Sequence, residues 1–305
     1  MSNPSPRVSM ASIAKACGVS KMTVSRVLMG KQYSASPAIK EKILRTAAKM
    51  KYEVNVLARQ LKTNRTEYLG IATSFKGLIG SYYFQQVLLG IKEALSDSDY
   101  GLALIDSETK DALDAEKLYG VCRRRKVDGL LIVSPHLDDA FLAGLVDRRF
   151  PVATVGGDTR EHVVASFGLD DDDAVRQALL YLKSLGHRRV GFLAGPADLS
   201  SAKIRRAAFV RHGKALGFET AKDWILNGAY TRQDGFEAAL QLLSLSRLPT
   251  ALVAANDLSA LGAADACHRR GIAVPRQLSI VGIDDIAESA LATPALTTVA
   301  QPMAE

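Results

Sequence analysis

Residues 19–28 read VSKMTVSRVL. At helical spacing Lys21, Met22, Ser25 and Arg26 fall on one side of this stretch, and Val24, Val27 and Leu28 on the other. The second set is an apolar stripe that needs a core. The first is an outward fork of hydrogen-bond donors, more specific than a surface helix requires. Other polar groups lie far downstream, each at the end of an apolar run of strand length: Ser74, Asp106, Ser134, Gly156, Asn256, Asp257 and Asp284. In open parallel sheets ligands bind outside the carboxyl ends of the strands, so these residues collect where a small molecule would sit. Catalytic chemistry has no visible carrier, which points away from an enzyme. No GxxxxGKS/T or GxGxxG loop and no GxSxG elbow occurs, and the histidines at 136, 162, 187, 212 and 268 show no ligand pairing. The four adjacent carboxylates Asp170 to Asp173 cannot all face one ion, and at the start of a helical stretch they suit its dipole instead. The chain reads as needing neither metal nor cofactor.

With 305 residues, 48% of them hydrophobic, the chain can bury ordinary cores and divide into two or three domains. No apolar run approaches the roughly 18–20 residues of a membrane span, and the opening MSNPSPRV lacks the apolar centre of a secretory signal. These features imply no membrane partner and a cytoplasmic location. Cys17, Cys122 and Cys267 are far apart without metal spacing, and read as unpaired thiols in a reducing compartment. The net charge of +7 is unevenly placed. Residues 1–67 carry 13 Lys or Arg against three Glu, a balance of +10, and the remainder balances at −3. One end is built for a polyanion. Its well-patterned apolar residues distinguish it from a solvated basic tail.

The elements that position these groups follow from local signals. Ser9 caps a short helix with apolar Met10, Ile13, Ala14 and Cys17, ended by Gly18. Ser20 caps a second, from Lys21 to about Met29, closed by Gly30, and a third runs from Ser36 or Pro37 to Met50. Three short helices with a tight glycine turn form a helix-turn-helix head. A further helical run, NVLARQLK at 55–62, has Asn55 as its cap and is too short to be stable alone. From Tyr68 onward apolar runs of strand length alternate with amphipathic stretches, at 68–74, 101–107, 129–135, 151–157, 188–195, 251–257 and 278–285. The alternation predicts a mostly parallel, doubly wound arrangement with helices on both faces, too long for one sheet. HVVASFGLDDDD at 162–173 is the expected crossing between two subdomains, and the stretch after Asp285 a second. Two facing sheets with polar rims describe a cleft that closes on a ligand. The expected divisions are a head at 1–54, a linker at 55–67, an N-subdomain at 68–165 to which 297–305 returns, and a C-subdomain at 166–296.

VSKMTVSRVL, followed by VNVLARQLKT at 54–63 and LGIA at 69–72, resembles the LacI/GalR family of transcription regulators. Further matches run onward: VDGLLIV at 127–133, SLGHRRVGFLAG at 184–195, AANDLSALGA at 254–263, VPRQLSIVGIDD at 274–285 and PALTTVAQP at 294–302. The likeness covers nearly the whole chain and is far more specific than a lone helix-turn-helix match. It implies an all-α helix-turn-helix DNA-binding head and an α/β core of two doubly wound parallel-sheet subdomains similar to periplasmic binding protein type I. It also implies a regulator, usually a repressor, that binds a pseudo-palindromic double-stranded DNA operator as a homodimer, since two heads reading two half-sites require twofold symmetry.

Residue roles follow from the resemblance position by position. The second helix enters the major groove, with Lys21, Met22 and Arg26 reading bases and Ser20, Thr23 and Ser25 facing phosphates. The chemistry agrees, because a guanidinium takes guanine O6 and N7 together and an ammonium donates to the same acceptors. Met22 offers apolar contact with a thymine methyl, and packing on the head's core is its alternative. The linker, or hinge, helix pairs with its counterpart and pushes Leu61 into the minor groove, with Ala58 on the same face and Asn55, Arg59 and Lys62 on phosphates. The effector-binding set is Ser74, Arg205, Tyr230, Asn256 and Asp284, which suits a small sugar or sugar acid. For Arg205 pairing with an acidic neighbour, and for Asp284 capping a turn, are the competing roles.

The chain departs from the family in three places. Gly156 and Gly157 stand where many sugar-binding members have an acidic residue, with Asp158 two positions late. Ser12 stands where aspartate is common, a change of local capping. The chain stops at QPMAE, where members continue for another helix and strand, so the resemblance implies a C-terminal shortening. Two other readings compete with a sugar-controlled regulator. One is a sugar-binding protein of the periplasmic-receptor kind, disfavoured by the +10 head. The other keeps the DNA function and takes a phosphorylated metabolite or a protein as effector.

Overall fold

A computed structural model of the chain describes residues 8–28, 35–53, 59–60, 63–73, 79, 81–105, 108–109, 112–113, 115–135, 141–156 and 165–303. Asn55, Ala58, Leu61 and Ser74 lie outside the described residues, as do Lys62, Asp106, Gly157 and Asp158. The chain separates into two compact units, 1–65 and 66–305.

The smaller unit holds α1 (Met10–Cys17), α2 (Lys21–Leu28) and α3 (Pro37–Lys49). The Ser9 hydroxyl accepts from the Ser12 N–H, and the Ser12 hydroxyl accepts from the Ser9 N–H at 2.9 Å. Serine at position 12 thus closes a capping box at the start of α1. Gly18, at φ 70°, ends the helix in the left-handed region that glycine adopts without strain. The Ser20 hydroxyl accepts from the Thr23 N–H at 3.1 Å and starts α2. Ser36 caps α3, with Pro37 in its first turn. The three helices meet at Ile13, Val24 and Ile43, all fully buried, and Val27 and Leu28 pack half-buried against them. The apolar stripe of α2 has found its core.

The first half of the larger unit runs β1 (Tyr68–Thr73), α4 (Tyr82–Ala94), β2 (Gly101–Leu104), a short antiparallel pair β3 (Glu108–Thr109) and β4 (Ala112–Leu113), α5 (Ala115–Arg123), β5 (Gly129–Val133), α6 (Phe141–Asp147), β6 (Val152–Val155) and β7 (Ala165–Phe167). The second half runs α7 (Asp171–Ser184), β8 (Val190–Leu193), α8 (Ser200–Ala215), β9 (Ile225–Leu226), α9 (Arg232–Leu242), β10 (Ala251–Ala254), α10 (Asp257–Arg269), β11 (Ser279–Asp284), α11 (Ala287–Leu291) and β12 (Thr297–Ala300). Each half builds one parallel sheet, in the orders β2-β1-β5-β6-β7 and β9-β8-β10-β11-β12. Both follow the same doubly wound pattern. Strand order reverses between β1 and β5 and between β8 and β10, the two places where such a sheet opens a crevice.

The first crossing falls inside the expected stretch 162–173: the first sheet keeps the chain through Phe167, where β7 pairs with β6, a little past the expected division at 165, and α7 starts the second half at Asp171. The expected return needs correction. Residues 297–300 do not return to the first sheet. They form the edge of the second, with Val281 opposite Thr297 and Asp284 opposite Ala300. The cause is a buried carboxylate: Asp257 accepts from the Thr298 hydroxyl, from the Ile286 N–H at 3.1 Å and from the Ser289 hydroxyl at 2.7 Å, which ties β12 beside β11.

β8 and β10 are buried along their whole length, as expected of parallel strands covered on both faces. Phe192 and Phe209 stack on one face with ring centroids 4.7 Å apart, and Leu242, Leu252 and Cys267 fill the other. In the first sheet Ile71, Phe84 and Val133 pack on one side and Leu118, Ile132 and Leu142 on the other. The unit's first residues are clasped by Asp128, whose carboxylate accepts from the Thr66 N–H at 2.8 Å, the Thr66 hydroxyl at 3.0 Å and the Glu67 N–H at 2.9 Å. Burial alone would raise this carboxyl's pKa, but the hydrogen bonds together hold it below the usual range. Among the described residues no helix is long and apolar enough to cross a membrane.

Candidate nucleic-acid face and effector cavity

On α2 the outward side carries Lys21, Met22 and Arg26, with Met22 63% exposed. Core packing of Met22 is thereby set aside. Ser20 is exposed and Thr23 half-exposed, and their hydroxyls hydrogen-bond each other at 2.9 Å. Ser25 differs from expectation: it is only 9% exposed. It follows Val24 by one residue, a rotation of about 100° that leaves it at the margin of the buried stripe and not on the open face. The fork therefore comes down to Lys21, Met22 and Arg26.

The larger unit holds a cavity of about 400 Å³ at the carboxyl ends of both sheets. Tyr83 reaches it from the first turn of α4, Ser134 from the end of β5 and Gly156 from the end of β6. From the second half come Asp171 at the start of α7, Arg205 from the middle of α8, Tyr230 ahead of α9, Asn256 at the cap of α10 and Asp284 at the end of β11. Arg205, Tyr230, Asn256 and Asp284 were expected around one ligand, and the structure brings these four together. Ser134, Tyr230 and Asp284 have φ of 54°, 63° and 144°, a region that non-glycine residues rarely adopt. Such strain gathers at sites that a fold must hold in one shape.

Arg205 is 5% exposed, its Nε donating to Asp171 Oδ1 at 2.7 Å and its Nη1 donating to the Ala255 carbonyl. Burial works against its charge, but the Asp171 carboxylate more than offsets this and holds the guanidinium firmly protonated. Burial pushes the Asp284 carboxyl up to about 7 against the pull of Arg205. Burial likewise pushes the Tyr83 phenol up to about 12 and raises that of Tyr230. Both tyrosines are neutral donors. The Tyr230 hydroxyl lies 3.4 Å from that of Ser201, and its ring lies against Gly195, where a Cβ would overlap it. Asn256 serves the scaffold at both ends: Oδ1 accepts from the Ser259 N–H and Nδ2 donates to the Tyr230 carbonyl, each at 3.0 Å. At Gly156, φ 76°, a Cβ would come within 2.8 Å of the Tyr83 hydroxyl, so the space an acidic side chain would need is taken by a phenol.

Sequence reasoning missed Tyr83 and Asp171 as cavity residues. Asp171 was visible only as one of four like carboxylates, which the fold separates. Asp170 caps α7 by accepting from the Asp173 N–H at 3.0 Å, Asp171 meets Arg205, Asp172 meets Arg211 and His212, and Asp173 accepts from Arg176 and Gln177.

Comparison with known proteins agrees with this architecture. Residues 9–55 match the bacterial regulatory proteins of the lacI family, and residues 179–305 match a periplasmic binding protein-like domain. The transcriptional regulator AscG of Escherichia coli K12 is 31% identical over 301 residues, covering 97% of this chain and 88% of its own. The probable transcriptional repressor ExuR of Bacillus subtilis is 28% identical over 302 residues, covering 97% and 87%. Among solved structures, the lac repressor dimer bound to operator and the anti-inducer ONPF matches with a TM-score of 0.83 at 26% identity, covering 98% of this chain and 89% of that one. The CelR–cellobiose complex matches with a TM-score of 0.70 at 28% identity, with the same coverage. A helix-turn-helix head followed by a two-sheet ligand-binding core is the build of a ligand-binding transcription regulator. The chain belongs to the LacI/GalR family of these regulators, and the relatives named here are transcriptional regulators and repressors.

Proposed function

We propose that this chain is a ligand-responsive, sequence-specific DNA-binding repressor that reads a pseudo-palindromic operator as a homodimer and answers to a small sugar or sugar-acid effector. The observation that carries the reading is the strained cavity at the paired switch points, with an apolar wall, Arg205 buried in it and the Tyr230 ring beside it. An aromatic face serves the apolar side of a sugar ring, while Arg205 and Asp284 serve its hydroxyls. The similar CelR structure holds cellobiose, a ligand of that chemistry.

At the head, Arg26 and Lys21 read guanine, Met22 touches a thymine methyl, and Ser20 and Thr23 face phosphates. Leu61, with Ala58 beside it, wedges a base step from the minor groove while Asn55, Arg59 and Lys62 hold the backbone. Effector binding changes the closure of the two halves of the core, and this alters whether the paired linker helices form. The test is fluorescence anisotropy of the full chain against duplexes selected from a random pool, across a salt series, with and without candidate sugars. Preference for an inverted repeat, weakening with salt and altered by a sugar, is the expected result. Equal affinity for selected and scrambled duplexes would defeat the proposal.

A further inference from the structure

Resting on the effector reading, the cavity also says something about the charge of what enters it. Among the described residues that line it, the charged side chains are Asp171, Arg205 and Asp284. Arg205 is the cation of the set, and that charge is already answered inside the protein. Its Nε sits 2.7 Å from Asp171 with both side chains only 6% exposed, and its Nη1 donates to the Ala255 carbonyl. Neither partner of such a buried pair can be drawn away without leaving the other as an uncompensated charge. Among the described lining residues, an incoming carboxylate or phosphate would lose its hydration and then face two aspartates with no surplus positive charge to receive it. The enclosed Asp284 carboxyl, whose pKa lies near 7, shows the same shortage, since Arg205 does not hold it in the ordinary acidic range.

An uncharged ligand meets none of this. The two bonds above use two of the five N–H donors of the guanidinium, which leaves it a donor to hydroxyls that brings no net charge to the pair. Tyr83 and Tyr230 add neutral phenols, and Ile79, Leu169, Leu199 and Leu258 supply apolar wall. We propose that the Asp171–Arg205 pair sets the charge of the effector: the cavity takes an uncharged, hydroxylated ligand with an apolar face, and rejects its carboxylated or phosphorylated counterpart. Asp171 is then a specificity-determining residue acting through Arg205.

The test uses the full chain and matched probes: methyl and phenyl glycosides of glucose, galactose and mannose against glucuronate, galacturonate and glucose 6-phosphate, read by thermal shift and calorimetric titration at pH 7. At least one neutral probe is expected to bind, with its anionic counterpart weaker by about tenfold or more, because the anion's charge goes unanswered in a low-dielectric site. Asp171→Asn leaves the guanidinium charge exposed to the ligand and is expected to shift the ratio by about tenfold toward the anion. The double variant Asp171→Asn, Arg205→Gln removes both charges and is expected to restore the preference for the neutral probe, and it serves if the single variant does not fold. An anionic probe that binds the unaltered chain more tightly than its neutral counterpart, or a ratio unmoved by Asp171→Asn, overturns the inference alone. A panel in which no probe binds overturns it together with the sugar reading of the cavity.

Discussion

Gly195→Ala tests the cavity wall with the smallest possible change. A Cβ at this position would come well inside van der Waals contact distance of two carbons of the Tyr230 ring and lie 2.7 Å from its hydroxyl oxygen. Non-bonded carbons settle at about 3.5–4.0 Å, so the ring must withdraw by about 1.2–1.8 Å. Its freedom to do so is small. The Tyr230 carbonyl is held by Asn256 at 3.0 Å, its φ is 63°, and its hydroxyl is beside Ser201. Overpacking of this kind costs about 1–3 kcal/mol, and for a unit of this length each kcal/mol moves the melting temperature by about 2–4 °C. A fall of about 2–12 °C is expected, together with a clear loss of affinity for whichever probe the unaltered chain binds. Differential scanning fluorimetry and calorimetric titration read the two effects. Gly186→Ala is the control: Gly186 has φ 85° and open space around it, so the substitution strains the backbone without touching the cavity and is expected to lower the melting temperature alone. Unchanged melting and unchanged ligand affinity in Gly195→Ala would refute the placement of the Tyr230 ring in the wall.

Arg26→Ala is expected to lower affinity for a selected operator by about 1–3 kcal/mol per half-site while weak nonspecific binding remains, as measured by anisotropy against selected and scrambled duplexes. Phe209→Ala removes one of two fully buried, stacked rings and is expected to cost about 3–5 kcal/mol, seen as a lower denaturant midpoint at unchanged slope. Asp284 titrates near 7 in the folded chain, above its ordinary value, so the stability tied to its protonated form is complete below about pH 4 and is lost as pH rises toward 7. Asp284→Asn is therefore expected to gain on the unaltered chain between those limits, and melting curves that stay parallel from pH 4.5 to 8 would contradict it.

The parts of the fold fixed by neighbours in sequence were legible. Ser9, Gly18, Ser20 and the Ser36–Pro37 pair act within a few residues of themselves, so the helix starts and stops of the head could be read directly. VGFL and ALVA, buried on both faces, show as unbroken apolar runs. What escaped depends on distant partners or on the phase of a helix. TTVA at 297–300 carries no mark of which sheet it joins, because Asp257, forty residues earlier, decides it through Thr298. Of the four identical aspartates, Asp171 and Asp172 become different groups only when α8 brings Arg205, Arg211 and His212 against them, while Asp170 and Asp173 find their partners within α7. In YYF the core takes Phe84 and the cavity takes Tyr83, a division set by one step of helical rotation. Ser25 failed for the same reason, since a residue at the edge of a stripe can fall on either side of it.

The clasp at Asp128 has a use in design. Its three hydrogen bonds come from Thr66 and Glu67, so the larger unit secures its own leading end. The peptide bond between Arg65 and Thr66 is then a natural splice point: a different N-terminal module joined there leaves all three bonds in place, and under the proposed function it would couple the same core to a different gene without rebuilding that core.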